Sequence, residues 1–136
     1  MLVRDRRFAY ARRYFRPQRE HLEARFVQLL SGRSEMQDAR WLDCDFDDDV
    51  SYVRNRITGE LSAFVAVTIA AENAEDLSAG SGEAIGNLRA GTAVFRFDGA
   101  HWNTDGKTLF NLSPAEAVRC YQDDLEIVKQ TPVRQP

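Results

Sequence analysis

Two hydrophobic periodicities divide the chain, a helical one near its start and an alternating one in its middle. Phe8, Ala11 and Phe15 recur at helical spacing, because residues three and four apart lie on one face of a helix. The pattern predicts a helix over residues 4–15 that is apolar on this face and basic on the other.

Pro17 interrupts the helical pattern. Proline cannot donate a helix hydrogen bond, yet it suits the first turn of a new helix. We therefore predict a kink or break at this residue and a second helix from Pro17 to about Leu30, which Gly32 caps. Ser34 begins a capping box for a short helical turn that ends at Leu42.

Alternating apolar residues predict strands from Val50 onward. Val50–Ile57 and Leu61–Ala71 are typical of the two strands of a hairpin. In the second strand every other side chain from Leu61 to Ile69 is apolar, and the side chains between them carry no charge. A strand with so little charge on either face is expected at the centre of a sheet.

The second half of the chain contains a hairpin signal, Asp98 followed by glycine, between Thr92–Phe97 and residues 100–103. Asp-Gly favours a tight turn whose central positions need positive φ. A further strand is predicted over Thr108–Leu112, and residues 72–87 are predicted to form a polar loop.

The last helix signal is the most complete. Ser113, Pro114 and Glu116 occupy the N-cap, first and third positions of a helix predicted over residues 114–129. Thr131, which precedes another proline, ends it.

These elements predict an α+β fold. N-terminal helices are expected to pack on a four-stranded antiparallel meander, with a C-terminal helix, in a single two-layer domain. We assign residues 17–131 to this domain, residues 1–16 to a basic aromatic helix or arm, and residues 132–136 to a tail.

The net charge of -3 hides a strong asymmetry along the chain. Residues 1–40 contain ten arginines and five acidic residues, whereas residues 41–80 contain two arginines and nine acidic residues. The simplest use of this asymmetry is internal, with a basic helical segment beside an acidic loop of the same chain. The competing use is an acidic partner for the N-terminal segment.

Arginines and aromatic residues interleave near the N-terminus, as they do at interface hot spots and nucleic-acid surfaces. The alternative is a solvated basic face whose aromatic side chains dock on the domain. An isoelectric point near 5.4 argues against nucleic acid. The candidate partner-binding residues are Arg12, Arg13, Arg16, Arg19, Tyr10 and Tyr14.

A pocket on the sheet is the second candidate site. His101 lies near Asp98 in sequence, and such a pair can act as a general base, although an exposed strand-edge histidine is the plainer interpretation. The candidate pocket residues are Tyr52, Phe64, Phe95, His101 and Trp102.

No catalytic residue, metal site or cofactor is predicted from the motifs. The acidic run Asp43–Asp49 lacks the glycine and the final glutamate of a calcium loop. Cys44 and Cys120 have no zinc-ligand spacing, so we expect two reduced thiols. Enzymatic activity stays open, with binding favoured over catalysis.

The segment from Phe95 to Trp102, a strand, an Asp-Gly turn and a tryptophan strand, resembles a hairpin of the nuclear transport factor 2-like and cystatin-like group. The resemblance covers about residues 17–112 and implies helices followed by a long curved antiparallel meander. That group includes pocket enzymes and non-catalytic association domains, so the resemblance leaves the function open.

The sequence thus favours a small non-enzymatic protein-binding or assembly factor that uses its N-terminal helix, either on an acidic protein partner or in a homodimer. The alternatives are a small-molecule pocket protein, as binder or weak hydrolase or isomerase, and a nucleic-acid accessory protein. No apolar run approaches the roughly 18 residues that span a bilayer, and no secretory signal is evident. We expect a cytoplasmic protein without membrane insertion.

Overall fold

A computed structural model describes residues 3–33, 36, 39–73 and 87–131 of the chain. In chain order the elements are α1 (Val3–Leu30), β1 (Ala39–Phe46), β2 (Val50–Asn55), β3 (Leu61–Asn73), β4 (Asn87–Phe97), β5 (Trp102–Asn103), β6 (Thr108–Phe110), α2 (Pro114–Cys120) and β7 (Leu125–Thr131). The predicted α+β class, with helices on an antiparallel sheet, is confirmed.

The predicted kink or break at Pro17 is wrong, because α1 runs through it as one helix of 28 residues. Pro17 is exposed, so water can satisfy the carbonyl that its missing N–H leaves unpaired. Phe15 and Leu22, on either side of the proline, are buried in the same core. Tertiary packing of this apolar face therefore holds the helix across the proline.

The predicted four-stranded meander is too small, because the sheet has seven strands. Its main order is β5-β4-β3-β2-β7, with β1 also beside β3 and β6 also beside β4. The long strand β3 pairs with β4 from Leu61 to Ala71. Along its other edge, β3 pairs first with β2 and then with β1. The central position predicted for this strand is confirmed.

The helical turn predicted to end at Leu42 is replaced by β1, which continues through Phe46 and leaves only residues 47–49 of the acidic run outside a strand. Leu42, Cys44 and Phe46 pack against the core, whereas Asp43 and Asp45 are exposed. The segment therefore alternates as a half-buried strand does. Ser34, which begins the predicted capping box, lies outside the described residues, as do residues 74–86 of the predicted polar loop.

The helix predicted over residues 114–129 is also too long. The capping box is confirmed, since Glu116 N donates to Ser113 Oγ at 3.2 Å and Ser113 N donates to Glu116 Oε1 at 2.9 Å. However, α2 ends at Cys120, and a turn over residues 121–124 leads into β7. Strand β7 pairs with β2, which otherwise would have a free edge.

The core lies on both faces of the sheet, so the two-layer prediction is wrong. Helix α1 covers one face through Phe15, Phe26 and Leu30, and the predicted inward side of β3 lies there, 3% exposed or less from Leu61 to Ile69. Helix α2 covers part of the opposite face, where Ala117 and Val118 pack against other core residues, namely Val53, Phe64 and Val94. The sheet is the middle of three layers.

Two glycines with positive φ give a matched test of how α1 meets the sheet. Gly106 has φ +82, and a Cβ there would lie 3.0 Å from Leu30 N and 3.1 Å from Leu29 C. Gly59 has φ +77 with nothing within 4 Å of such a Cβ. We expect Gly59→Ala to lower the free energy of unfolding by about 1 kcal/mol through backbone strain alone. Gly106→Ala should cost more, because the end of α1 must also move.

Urea unfolding of both variants, followed by circular dichroism, measures the difference. Equal losses would show that the end of α1 does not lie against the loop around Gly106.

Candidate functional site

A groove of about 810 Å³ lies between α1 and the sheet. We call it the arginine groove. Its floor is apolar and aromatic, and its wall is the cationic side of α1. The floor comprises Phe8, Phe15, Phe46, Val50 and Tyr52, and the cationic residues of the wall are Arg12, Arg13, Arg16 and Arg19.

The helix period explains how α1 places these side chains. Arg12, Arg16 and Arg19 follow one another at spacings of four and three residues, so they lie along one side of the helix. Phe8 and Phe15 are seven residues apart and point toward β2, where both rings meet Tyr52 edge to face. The groove therefore joins a cationic wall to an aromatic floor.

Arg19 fixes one end of the groove. Its Nε donates to Glu23 Oε2 at 2.6 Å, and its Nη1 donates to the Asp48 carbonyl at 2.9 Å. Its Nη2 donates to the Asp47 carbonyl. The basic helix thus lies beside the acidic segment, and backbone carbonyls rather than carboxylates make the contact.

The guanidinium groups of the other three groove arginines pair with no carboxylate of the described residues. Within the part of the chain that the structure describes, neither Arg12 nor Arg16 forms an ion pair or hydrogen bond through its guanidinium. Arg13 lies over the ring of Tyr14, 5.9 Å from its centroid. These guanidinium groups are available to an anionic ligand.

The phenol of Tyr52 lies close to this cationic cluster. Burial raises the pKa of Tyr52, and the positive charges of Arg12, Arg19 and Arg16 act in the opposite direction. The protonated hydroxyl is therefore a hydrogen-bond donor beside guanidinium groups, a combination that favours oxyanions.

The two predicted anchors Tyr10 and Tyr14 lie on a different side of α1. Their rings are 4.6 Å apart, and the ring of Tyr10 is 6.1 Å from that of Phe97. They are 48% and 39% exposed. The helix therefore separates the predicted partner-binding set into an arginine wall and a tyrosine pair, since residues 10 and 12 point in nearly opposite directions.

The predicted pocket residues are not gathered around a cavity. Phe95 and Trp102 pack around Phe15, with ring centroids 5.8 and 4.9 Å away. Phe64 lies on the opposite face of the sheet, under α2. Rings thus fill the space between α1 and the sheet at this point, and Tyr52 alone of the predicted pocket set lines the arginine groove.

His101 is exposed in the turn between β4 and β5. Its backbone N–H and that of Ala100 donate to Asp98 Oδ1 at 2.7 and 2.8 Å. These bonds, first that from His101, hold the pKa of Asp98 below its usual range. This contact stabilises the turn, and it joins the carboxylate to the histidine backbone rather than to the imidazole.

Sequence reasoning missed Phe46 and Val50 as parts of the floor. Their sequence signal was the alternation Leu42, Cys44, Phe46, which the surrounding aspartates obscured.

Among the described residues, no group of three or more His, Cys, Asp or Glu could hold a metal ion.

The chain matches no protein-family model, no curated protein and no solved structure. No helix within the described ranges has the length and apolar character needed to cross a bilayer.

Neutralising Arg12 tests whether this wall faces Tyr52. Arg12 lowers the pKa of Tyr52 against the effect of burial, so Arg12→Gln should move the titration of Tyr52 to higher pH. NMR of protein labelled with ¹³C at the tyrosine ζ carbon follows each phenol separately. Arg119→Gln, an exposed change on α2, should leave the titration where it is; an unchanged Tyr52 in Arg12→Gln would contradict the geometry of the groove.

The two thiols should differ sharply in reactivity. Burial, and secondarily the charge of Asp43, raises the pKa of Cys44 to about 11, so roughly one molecule in a thousand carries the thiolate at pH 8. Cys120 is exposed. Iodoacetamide at pH 8 should therefore label Cys120 long before Cys44, as mass spectrometry of peptides would show. Faster labelling of Cys44 would place β1 away from the core.

Proposed function

We propose that the chain is a non-enzymatic protein-binding factor whose arginine groove takes an acidic segment of a protein partner. The observation that carries the proposal is the pair Arg12 and Arg16. Both line a groove with an aromatic floor, and neither has a carboxylate partner within the described part of the chain. Guanidinium groups that lie over apolar surface bind carboxylates strongly, because they are weakly hydrated and present planar pairs of donors.

The length of the groove supports a peptide. The α1 residues that line it run from Phe8 to Glu23, and this stretch of helix is about 22 Å long at 1.5 Å per residue. An extended chain of about seven residues spans the same distance. A protein segment can therefore contact the wall along its whole length.

The charges along the groove specify where the acidic residues of such a segment would lie. Arg12 and Arg16 lie near its middle, whereas Glu20, Glu23 and Asp48 line the end that Arg19 occupies. Since Arg19 already binds Glu23, this end has no cationic group to spare for another carboxylate. The acidic residues of the partner should therefore face Arg12 and Arg16, with apolar side chains on Phe8 and Tyr52.

A charge-reduced groove tests the proposal. The probe is a fluorescein-labelled peptide of about seven residues, made of glutamates with phenylalanine at alternate central positions. We expect the double variant Arg12→Gln/Arg16→Gln to weaken binding about tenfold or more, because two charge-assisted contacts are lost. Fluorescence anisotropy at low and physiological salt measures the affinity.

The matched control is Arg6→Gln/Arg119→Gln, which removes the same charge from exposed positions outside the groove. The control should bind as the unchanged protein does. Equal losses of affinity in the two double variants would mean that overall charge alone causes the effect, which would contradict the proposal. Equal binding of a peptide with glutamine in place of glutamate would contradict it as well.

A second candidate function rests on the size of the groove. A volume of about 810 Å³ falls within the range of small-molecule pockets, so a small apolar anion is the alternative occupant. This alternative continues the resemblance to nuclear transport factor 2-like pocket proteins. Peptides of increasing length separate the two. Affinity that rises up to the full length of the groove supports the protein segment, whereas affinity already complete with a single acidic aromatic residue supports the small molecule.

A further inference from the structure

A second cavity, of about 620 Å³, lies between the start of α1 and the β2–β3 turn. Arg7, Arg54 and Arg56 line it, together with the carboxylate of Glu126 on β7. It shares no lining residue with the arginine groove. We call it the three-arginine cavity.

Arg54 is the unusual member of this cavity. Its side chain is 9% exposed, and its guanidinium is 3.7 Å from Glu126 Oε1, which is beyond hydrogen-bond distance. Within the described residues that guanidinium has no other polar partner. A guanidinium has five N–H donors, and leaving them unpaired in a buried place is costly. The guanidinium of Arg54 can therefore donate further hydrogen bonds to an anion that enters the cavity.

The single carboxylate of the cavity does not balance the positive charge of its arginines. Arg56 Nε donates to the Gln122 carbonyl at 3.1 Å, and its Nη1 donates to Glu126 Oε2 at 3.3 Å. Glu126 is thus shared between Arg54 and Arg56. Arg7 adds a third positive charge from α1. Three arginines against one carboxylate leave the cavity with two positive charges in excess.

The rim of the cavity is fixed by its own hydrogen bonds. Asn55 Oδ1 accepts from the N–H groups of Ile57 and Thr58, each at 2.9 Å, and Gly59 N donates to the Asn55 carbonyl at 2.8 Å. These hydrogen bonds hold the turn that carries Arg56 in one conformation. Little rearrangement is needed for binding, which favours affinity.

We propose that the three-arginine cavity is a binding site for a phosphate monoester group. A phosphate monoester carries up to two negative charges and three acceptor oxygens, which match the excess charge and the forked donors of Arg54 and Arg56. A carboxylate carries one charge and would leave the cavity cationic. The phosphate group fills only part of the volume, so the cavity also has room for the molecule or residue that carries it.

The proposal predicts that loss of the Glu126 carboxylate changes phosphate affinity and protein stability in opposite directions. This carboxylate competes with the phosphate for Arg54 and Arg56, so removal of the carboxylate should strengthen phosphate binding. The same removal should lower the stability of the folded protein, because both arginines lose an ion pair. A purely structural role for these residues predicts no such opposite response.

The experiment uses the full chain with inorganic phosphate as the probe, followed by isothermal titration calorimetry and by thermal unfolding at constant ionic strength. We expect saturable binding that Arg7→Gln weakens about tenfold, since one charge-assisted contact is lost. Arg7 is exposed, so this variant should fold normally. Arg54→Gln should weaken binding further, and Glu126→Gln should tighten it. Because a ligand at a fixed concentration stabilises the folded state more when it binds more tightly, phosphate should raise the melting temperature of Glu126→Gln more than that of the unchanged protein.

Arg119→Gln is the control and should bind phosphate as the unchanged protein does. Acetate at the same concentration should bind at least tenfold more weakly than phosphate, since it carries half the charge. Ribose 5-phosphate and an N-acetylated phosphoserine amide then distinguish a metabolite from a phosphorylated side chain, and tighter binding of either than of phosphate supports the proposal. Absence of phosphate binding at about 10 mM, equal binding by Arg7→Gln, or weaker binding by Glu126→Gln would overturn it.

Discussion

The packing of Phe15 against the sheet is the contact on which the rest of the molecule depends. Its ring meets those of Tyr52, Phe95 and Trp102, and the Trp102 indole donates to the Ala11 carbonyl at 2.7 Å. These contacts fix the rotation of α1 about its own axis. Because a helix has a fixed period, this rotation also decides which arginines face β2 and which face solvent.

Both candidate sites follow from the way the first half of α1 faces β2, through the contacts of Phe8 and Phe15 with Tyr52. The helix places cationic side chains opposite this strand, where Tyr52 lines one cavity and Arg54, two residues further along the same side of the strand, lines the other. The nearby carboxylates of Glu23 and Glu126 are already engaged by other arginines, Arg19 and Arg56. Positive charge is thus concentrated in two concave places, where reduced exposure to water strengthens its action on anions.

Local signals in the sequence were sufficient for some elements and misleading for others. The alternation of β3 and the capping box at Ser113 depend on neighbouring residues, and both were predicted. Strand β1 was missed because its exposed aspartates resemble a loop. Strand β7 was missed because a good helix start says little about where a helix ends, and its partner residues in β2 lie 70 to 81 positions earlier. The arginines were recognised, but the floor beneath them depends on contacts between distant segments, which periodicity does not reveal.

The hydrogen bond between Trp102 and Ala11 joins residues 91 positions apart, and this has a consequence for synthesis of the chain. During synthesis α1 emerges before the strands, so at first it has no complete surface on which to pack. Its aromatic side is not fully covered until β4 and β5 have been made, because Phe15 packs on Phe95 and Trp102, so docking is completed late. Contacts between such distant residues also slow folding in general. The newly made chain therefore passes through a period in which aromatic side chains and many arginines are exposed. Chaperones can recognise the chain during this period.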